Sequence, residues 1–404
     1  MKKFLALLLA LTLTLGLTAC GGDDGGKDAP GQSSAGGTAL KIGGAGPLTG
    51  GAAIYGNAAK GGAEIAAEEI NALGGLQIEL RYEDDAHDAE KSVNAYNTLK
   101  DWGMQVFLGS VTSTPGAATA AESNGDHIFY LTPSASSTAV IGGVANPLTG
   151  SVDTPRRDNV FQMCFVDPDQ GAYSAQYISD NGLGSKIAVI YKNDDVYSTG
   201  IFNSFSAKAG ELGLDIVSVT TFTTDSQTDF SVQIADAKNS GADLVYLPTY
   251  YEANALILTQ ASAAGYSPKY FGVDGMDGIL SVKGFDAALA EGVMLLTPFN
   301  ADAEDERTKS FVSKYQEKYG DVPNQFAADA YDCVYAIYEA LKDEEGVTGA
   351  SASDLCDKLT AKFTGGSFTF TGLTGESMTW DDTGAVSKYP RGMYIENGAY
   401  VGMD

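Results

Sequence analysis

The stretch VFLGSVTSTPGAATAA, residues 106–121, is apolar as far as Leu108 and then changes character. A glycine, several hydroxyls and Pro115 come before an alanine-rich segment. This reads as a buried strand that stops and hands over to a helix start. The pattern recurs at once in HIFYLTPSASSTA, 127–139. A short, wholly apolar strand fits a parallel sheet covered on both faces. Ligands of such sheets sit at the carboxyl ends of the strands. Two successive strands that end in small hydroxyl residues therefore raise the question of what those hydroxyls hold.

Outward from this stretch, strand-like and helix-like segments alternate from residue 39 on. The strand-like runs are LKIGGAG, LQIELRYED, MQVFLGS, HIFYLTP, VFQMCF, KIAVIYKND, LDIVSVTTF, DLVYLPT, KYFGVD and GVMLLTPF. Between them, apolar residues recur at steps of three and four, as in Phe202, Phe205, Ala209 and Leu212, or Ala327, Ala330, Val334, Ile337 and Leu341. Alternation of this kind predicts an α/β fold with parallel sheets and helices on both faces. The number of strands exceeds one comfortable sheet, so two similar lobes are expected. The strand ends read GGAGPLTG (43–50), GSVTSTPG (109–116), LTPSASS (131–137), NDDVYSTG (193–200), PTYYE (248–252) and GVDGMDG (272–278). Small residues, hydroxyls, tyrosines and a few acids dominate them.

The N-terminus indicates the compartment. MKKFLALLLALTLTLGLTAC, 1–20, has two lysines, an apolar core too short for a membrane span, and small residues before Cys20. Residues 1–19 read as a signal peptide. The ending Leu17-Thr18-Ala19-Cys20 resembles a bacterial lipoprotein box, which implies lipidation of Cys20 and anchoring to the cell membrane from the outer side. Residues 20–38 are rich in Gly, Ser and Asp and read as a flexible tether with a reach of roughly 20–25 Å. The formal charge of −27 argues against binding nucleic acid or an anionic membrane through the body of the chain. Cys164, Cys333 and Cys356 show no zinc spacing. Cys333 and Cys356, on successive predicted helices, are either a disulfide pair or two buried thiols.

Catalytic constellations are absent from the pattern. Gly44-x-Gly46-x-x-x-Gly50 misses the dinucleotide fingerprint by one residue, and Pro47 removes a backbone donor. The only histidines are His87 and His127, and there is no GxSxG, which argues against a hydrolase triad. YEDDAHDAE, 82–90, reads as a solvated loop in which Asp88 caps the next helix, rather than as a metal site. Asp194 and Asp195 read as caps for a helix that starts near Val196. No cofactor or metal is called for, and the chain is not expected to be an enzyme. What remains is recognition. An amino acid needs N–H and hydroxyl donors for its carboxylate, an acid for its ammonium and an apolar or aromatic wall for its side chain. The strand ends supply each type.

The ordered set GPLTGGAAIYG, EEINALGG, YEDDAHDAEKSV, GSVTS, LTPSAS, FVDPDQG, DFSVQIADAKNSGADLVY, QASAAGY, GVDG and FAADAYDCVYA resembles the leucine/isoleucine/valine-binding solute-binding proteins of ABC importers, over nearly the whole chain from residue 40. The resemblance implies a type I periplasmic-binding-protein fold: two Rossmann-like lobes, joined by a three-crossing hinge, that close on a ligand. Lobe 1 would be 39–160 and 291–375, and lobe 2 would be 161–290 and 376–404. It implies a monomeric, extracytoplasmic substrate-binding component that captures a free amino acid, branched-chain first, and delivers it to a membrane permease with its ATPase subunits.

Family roles then carry over by position. Ser113 in GSVTS matches the serine that grips the ligand carboxylate. Ser134 and Ser136 match the backbone and hydroxyl that hold carboxylate and ammonium. Asp274 matches the acid that receives the ammonium, and Tyr55, Tyr197 and Tyr250 match aromatic positions of the cleft. Asp274 stands where the leucine type carries Glu, and Ser136 where Thr is usual. The stretch after Ala139 is expanded. These departures leave a polar or aromatic amino acid, or another small amide, open as the ligand of a sensing module.

Overall fold

The computed structural model describes residues 38–403. The expected signal peptide, Cys20 and all but the end of the tether lie outside the described residues. Each of the ten apolar runs forms a strand: β1 Leu40–Gly46, β2 Ile78–Asp84, β3 Val106–Leu108, β4 Phe129–Thr132, β5 Val160–Gln162, β6 Ile187–Lys192, β7 Ile216–Phe222, β8 Leu244–Leu247, β9 Lys269–Gly272 and β10 Met294–Thr297. A C-terminal hairpin adds β11 Arg391–Glu396 and β12 Ala399–Gly402. The helices are α1 Ala53–Ala72, α2 Ala89–Trp102, α3 Ser113–Asp126, α4 Thr138–Ile141, α5 Asp167–Asp180, α6 Val196–Leu212, α7 Ser231–Asn239, α8 Tyr251–Ala263, α9 Glu306–Tyr319, α10 Gln325–Leu341 and α11 Ala352–Thr364.

The strands form two sheets. The first has five strands in the order β2-β1-β3-β4-β5, and the second has seven in the order β12-β11-β10-β9-β8-β6-β7. Pairing is parallel except for β10 with β11 and β11 with β12. Strands β3, β4 and β8 are buried at every residue, which accounts for their unbroken apolar runs. The stripe Ala327, Ala330, Val334, Ile337 and Leu341 of α10 is buried against the first sheet's core. Asp88 accepts from the Lys91 N–H at 2.9 Å and Asp195 from the Ser198 N–H at 3.3 Å, so both act as helix N-caps. Asp84 ties two loops together: it accepts from the Leu48 and Ala86 N–H groups at 2.8 and 2.9 Å and from the Thr49 hydroxyl at 2.6 Å.

The chain passes between the sheets three times, and all three expected boundaries move, the first by little: Phe161 and Gln162, expected in the second lobe, pair with β4 in the first sheet. Residues 294–297 were expected in the first lobe. Their main chain pairs with β9 and β11, so they belong to the second sheet and the crossing follows Thr297. Residues 376–388 were expected in the second lobe. The Gln162 N–H instead donates to the Gly384 carbonyl at 3.0 Å, and the Trp380 indole donates to the Gln162 carbonyl at 2.8 Å. This segment therefore packs on edge strand β5 of the first sheet, and the last crossing falls between Lys388 and Arg391. There Lys388 is buried in an ion pair with Asp329 at 2.6 Å.

The hairpin β11–β12 escaped the sequence reading although its signal was present. Asn397 and Gly398 both take positive φ, 53° and 73°, as a two-residue hairpin turn requires. Cys164, Cys333 and Cys356 are buried free thiols, so the Cys333–Cys356 pairing is not formed. No helix of the described residues is long and apolar enough to cross a membrane.

Candidate functional site

The two hydroxyl-rich strand ends lie side by side because β3 and β4 are parallel neighbours. Gly109 opens the first turn, where an added Cβ would lie 2.2 Å from the Tyr130 ring, so only glycine lets the chain pass. The turns are then knitted by their own hydroxyls. Thr132 donates to the Ser110 carbonyl at 2.8 Å, and Ser134 to the Val111 carbonyl at 2.6 Å. Ser113 is the first residue of α3, and its Oγ accepts from the Ser137 N–H at 3.1 Å. Ser137, not Ser136, caps α4. Ser136 is fully buried, and its hydroxyl accepts from Nε2 of Gln170 at 3.4 Å.

Gln170, one turn into α5, joins these turns to the second sheet, since its Oε1 accepts from the Asp274 N–H at 3.1 Å. Asp274 stands just past β9. Its Oδ1 accepts from the Tyr197 hydroxyl at 2.6 Å, and that same oxygen of Tyr197 accepts from the Gly275 N–H at 2.9 Å. Tyr197 stacks on Tyr250 with ring centroids 4.6 Å apart, and Tyr55 tilts against Tyr250 at 5.7 Å. The Tyr55 hydroxyl donates to the Gly275 carbonyl at 2.6 Å and accepts from the Tyr251 N–H at 3.2 Å. Ser136, Asp274, Tyr197, Tyr250 and Tyr55 thus belong to one continuous set of contacts. Ser113 and Ser134 sit in the adjoining turns with their hydroxyls engaged by the main chain. Further contacts join the two sides: Thr114 to Asp195 at 2.7 Å, Ser137 to the Val196 carbonyl at 3.4 Å, and the Ile54 N–H to the Tyr251 hydroxyl at 3.3 Å.

Three residues with no role in the sequence reading join this set. Gln170 is the link already described. Asp167, the first residue of α5, is fully buried, with the Ser136 and Ser137 hydroxyls beside its carboxylate and no cationic group paired with it. His87 donates to or accepts from the Thr112 hydroxyl at 2.8 Å and meets the Tyr250 ring edge-on at 5.2 Å. FVDPDQG carried the signal for Asp167 and Gln170, since it follows β5 as the other turns follow their strands. His87 was hidden in its acidic loop, because nothing in the sequence says that this loop folds over Tyr250.

The site is built around acids whose ionised form burial disfavours. Burial pushes the Asp274 carboxyl up to about 7 despite the Tyr197 and Gln170 hydrogen bonds. Burial also pushes Asp167 well above the ordinary carboxylate range, and the nearby Asp274 adds to this. Desolvation lowers His87, keeping its ring neutral. Among the described residues, no lysine or arginine is paired with Asp167 or Asp274. The arrangement asks for a compact cationic group between two buried acids. The hydroxyl turns and the start of α3 lie on the other side, and tyrosine rings form the walls. Among the described residues, no group of three or more His, Cys, Asp or Glu is placed to hold a metal ion.

Comparison with known proteins gives a consistent picture. The model of the periplasmic binding protein family matches residues 39–397. The Leu/Ile/Val-binding protein homolog 3 of Brucella melitensis is 30% identical over 241 residues, which cover 59% of this chain and 61% of the relative. The leucine-, isoleucine-, valine-, threonine-, and alanine-binding protein of Pseudomonas aeruginosa is 27% identical over 309 residues, covering 75% of this chain and 78% of the relative. Among solved structures, the branched-chain amino acid transporter substrate binding protein LivJ of Streptococcus pneumoniae, in complex with isoleucine, aligns with a TM-score of 0.77. It is 26% identical and covers 90% of this chain and 99% of that one.

Proposed function

This chain belongs to the periplasmic binding protein family, and from that premise we propose that it is the extracytoplasmic binding component of an ABC importer, capturing a free branched-chain amino acid. The two sheets with their helices act as two lobes, and the arrangement described here is their closed form. The contacts Thr114 to Asp195 and Tyr55 to Gly275, which join the two sides, support that reading. The names of the Brucella and Pseudomonas relatives and the isoleucine in the Streptococcus structure support the ligand class.

The observation that carries the proposal is the pair of buried acids. Asp274 and Asp167 are both buried with no cationic side chain paired to either; only hydroxyl and amide groups, Ser136 and Ser137 beside Asp167 and Tyr197 and Gln170 beside Asp274, stand next to them. An unpaired buried charge is costly, and an ammonium placed between these acids removes that cost. The ligand carboxylate lies toward Ser113, Ser134, Ser136 and the N-terminus of α3, where backbone N–H groups and hydroxyls favour an anion. The apolar side chain packs on Tyr55, Tyr197 and Tyr250. The role is binding without chemistry.

Lipid on Cys20 holds the monomeric protein at the outer side of the cell membrane, and the tether gives it reach to its permease and ATPase partners. The test is a calorimetric and thermal-shift screen of the common amino acids. One leucine, isoleucine or valine should bind per chain and raise the melting temperature. A screen with no heat and no shift for any amino acid refutes the proposal.

A further inference from the structure

A second pocket, of about 640 Å³, lies beside the crossing that follows β10. That volume suits an organic molecule rather than a single ion. Its walls come from several places: Ile54 and Asn57 on α1, the segment after β9, the crossing at Phe299, and Tyr400 on the C-terminal hairpin. The inner wall is largely apolar, with Ile54, Leu280, Leu295 and Phe299. The charged groups are Asp277, Asp302 and Asp321, and among the described residues no lysine, arginine or histidine lines the pocket.

Asp277 gives the pocket its chemistry. It is only 4% exposed, and its Oδ1 has no hydrogen-bond partner. Its Oδ2 accepts one long bond, from the Gln325 N–H at 3.3 Å. Gln325, the Tyr400 hydroxyl and the Gly278 N–H stand around this carboxylate, but no cationic group is paired with it, and burial raises its pKa above the ordinary range. The apolar wall and the all-acidic charged groups select the same kind of occupant: a cation with an apolar body. A carboxylate ligand would meet three acids and no donor charge.

We propose that this pocket is a second ligand site, which takes a primary organic amine with an apolar body and pairs its ammonium with Asp277. The site is distinct from the amino-acid site, whose acids Asp274 and Asp167 do not line it. The two are nevertheless neighbours, because the Gln325 side chain donates to the Asp274 carbonyl at 3.2 Å while its backbone bonds Asp277. The proposal does not depend on which amino acid the main site binds.

The probe is 4-phenylbutylamine, titrated calorimetrically at pH 8 into the full chain, with 4-phenylbutan-1-ol as its neutral counterpart. The amine should bind and the alcohol should bind roughly ten-fold or more weakly, the loss expected for a charge-assisted contact. Asp277→Asn should weaken the amine by a similar factor and leave the alcohol unchanged. Ser281→Trp, which grows a ring from an exposed lining position, should weaken both and keeps the test alive if Asp277→Asn fails to fold. Asp167→Asn should leave amine binding intact. Three results would overturn the proposal: no amine binding to the unaltered chain, equal affinity for amine and alcohol, or amine binding lost in Asp167→Asn but kept in Asp277→Asn. The last would place the amine in the amino-acid site.

Discussion

Under the proposed role of Asp274, the affinity for an amino acid should depend on pH in a direction that can be worked out beforehand. In the ligand-free site its carboxyl is pushed up to about 7 by burial, from an ordinary value of 3.8. In that role the ligand ammonium would pair with the ionised form only. Binding therefore carries the cost of deprotonation below pH 7 and none above it. One group with that value is about one-tenth ionised at pH 6 and about one-hundredth at pH 5, so affinity should fall roughly ten-fold and 100-fold at those pH values. Near pH 6 the protein should release close to one proton per leucine bound. The stability of the ligand-free chain runs the other way. Its native state holds the Asp274 proton more tightly than the unfolded state does, so this carboxyl costs stability progressively as pH rises from about 4 to about 7. Asp274→Asn removes the charge and keeps the size. At pH 8 it should weaken leucine roughly ten- to 150-fold, the value of a charge-assisted hydrogen bond of about 1.5–3 kcal/mol. Between pH 5 and 7 it should remove one proton from the slope of log affinity against pH, whatever Asp167 contributes to the remainder. The des-amino analogue 4-methylpentanoate should lose little from the substitution. The assay is calorimetry at pH 5, 6, 7 and 8, in two buffers of different ionisation enthalpy. The reasoning is refuted if the unaltered protein shows flat affinity across this range, or if Asp274→Asn keeps the full slope or weakens leucine and 4-methylpentanoate equally.

Tyr55→Phe removes a hydroxyl that bonds both Gly275 and Tyr251, so the lobes should hold ligand less firmly; stopped-flow dissociation of leucine should speed up roughly ten-fold. Lys388→Met leaves Asp329 buried without its partner and should cost about 3–5 kcal/mol in denaturant melts at pH 8. That deficit should shrink at pH 5, because burial already holds the Asp329 carboxyl at about 6 and losing the lysine raises it further, so a proton neutralises the unpaired charge. Cys20→Ala should move the protein from the membrane to the soluble fraction without changing its leucine affinity, as fractionation and calorimetry would show.

The apolar runs of the chain determined most of the local structure. Each of the ten became a strand, because a run such as VFL or LVYL has no polar face to turn to water and is stable only with both faces covered. Asp88 and Asp195 cap helices as read, because a cap bonds within a few residues of itself. The hydroxyl character of the strand ends was legible for the same reason, and so was the ordered set of motifs that resembles a family. Other features involve residues far apart in the chain and were not legible. The crossings after Thr297 and after Lys388 follow from which backbone pairs with which: Met294 with Phe271, and Gln162 with Gly384. Asp167 and Gln170 sat in a quoted motif, yet only folding sets that turn against Ser136 and Asp274. His87 appeared to belong to a solvated acidic loop until Tyr250 met its ring. Asp277 differs from Asp274 only in its surroundings: the first lacks a partner for Oδ1 in an apolar pocket, while the second is held by Tyr197. A short-range pattern fixes backbone conformation and which residues seek burial. Partners separated by a hundred residues are chosen by tertiary packing, and desolvation, the force that tunes these carboxylates, exists only once that packing has excluded water.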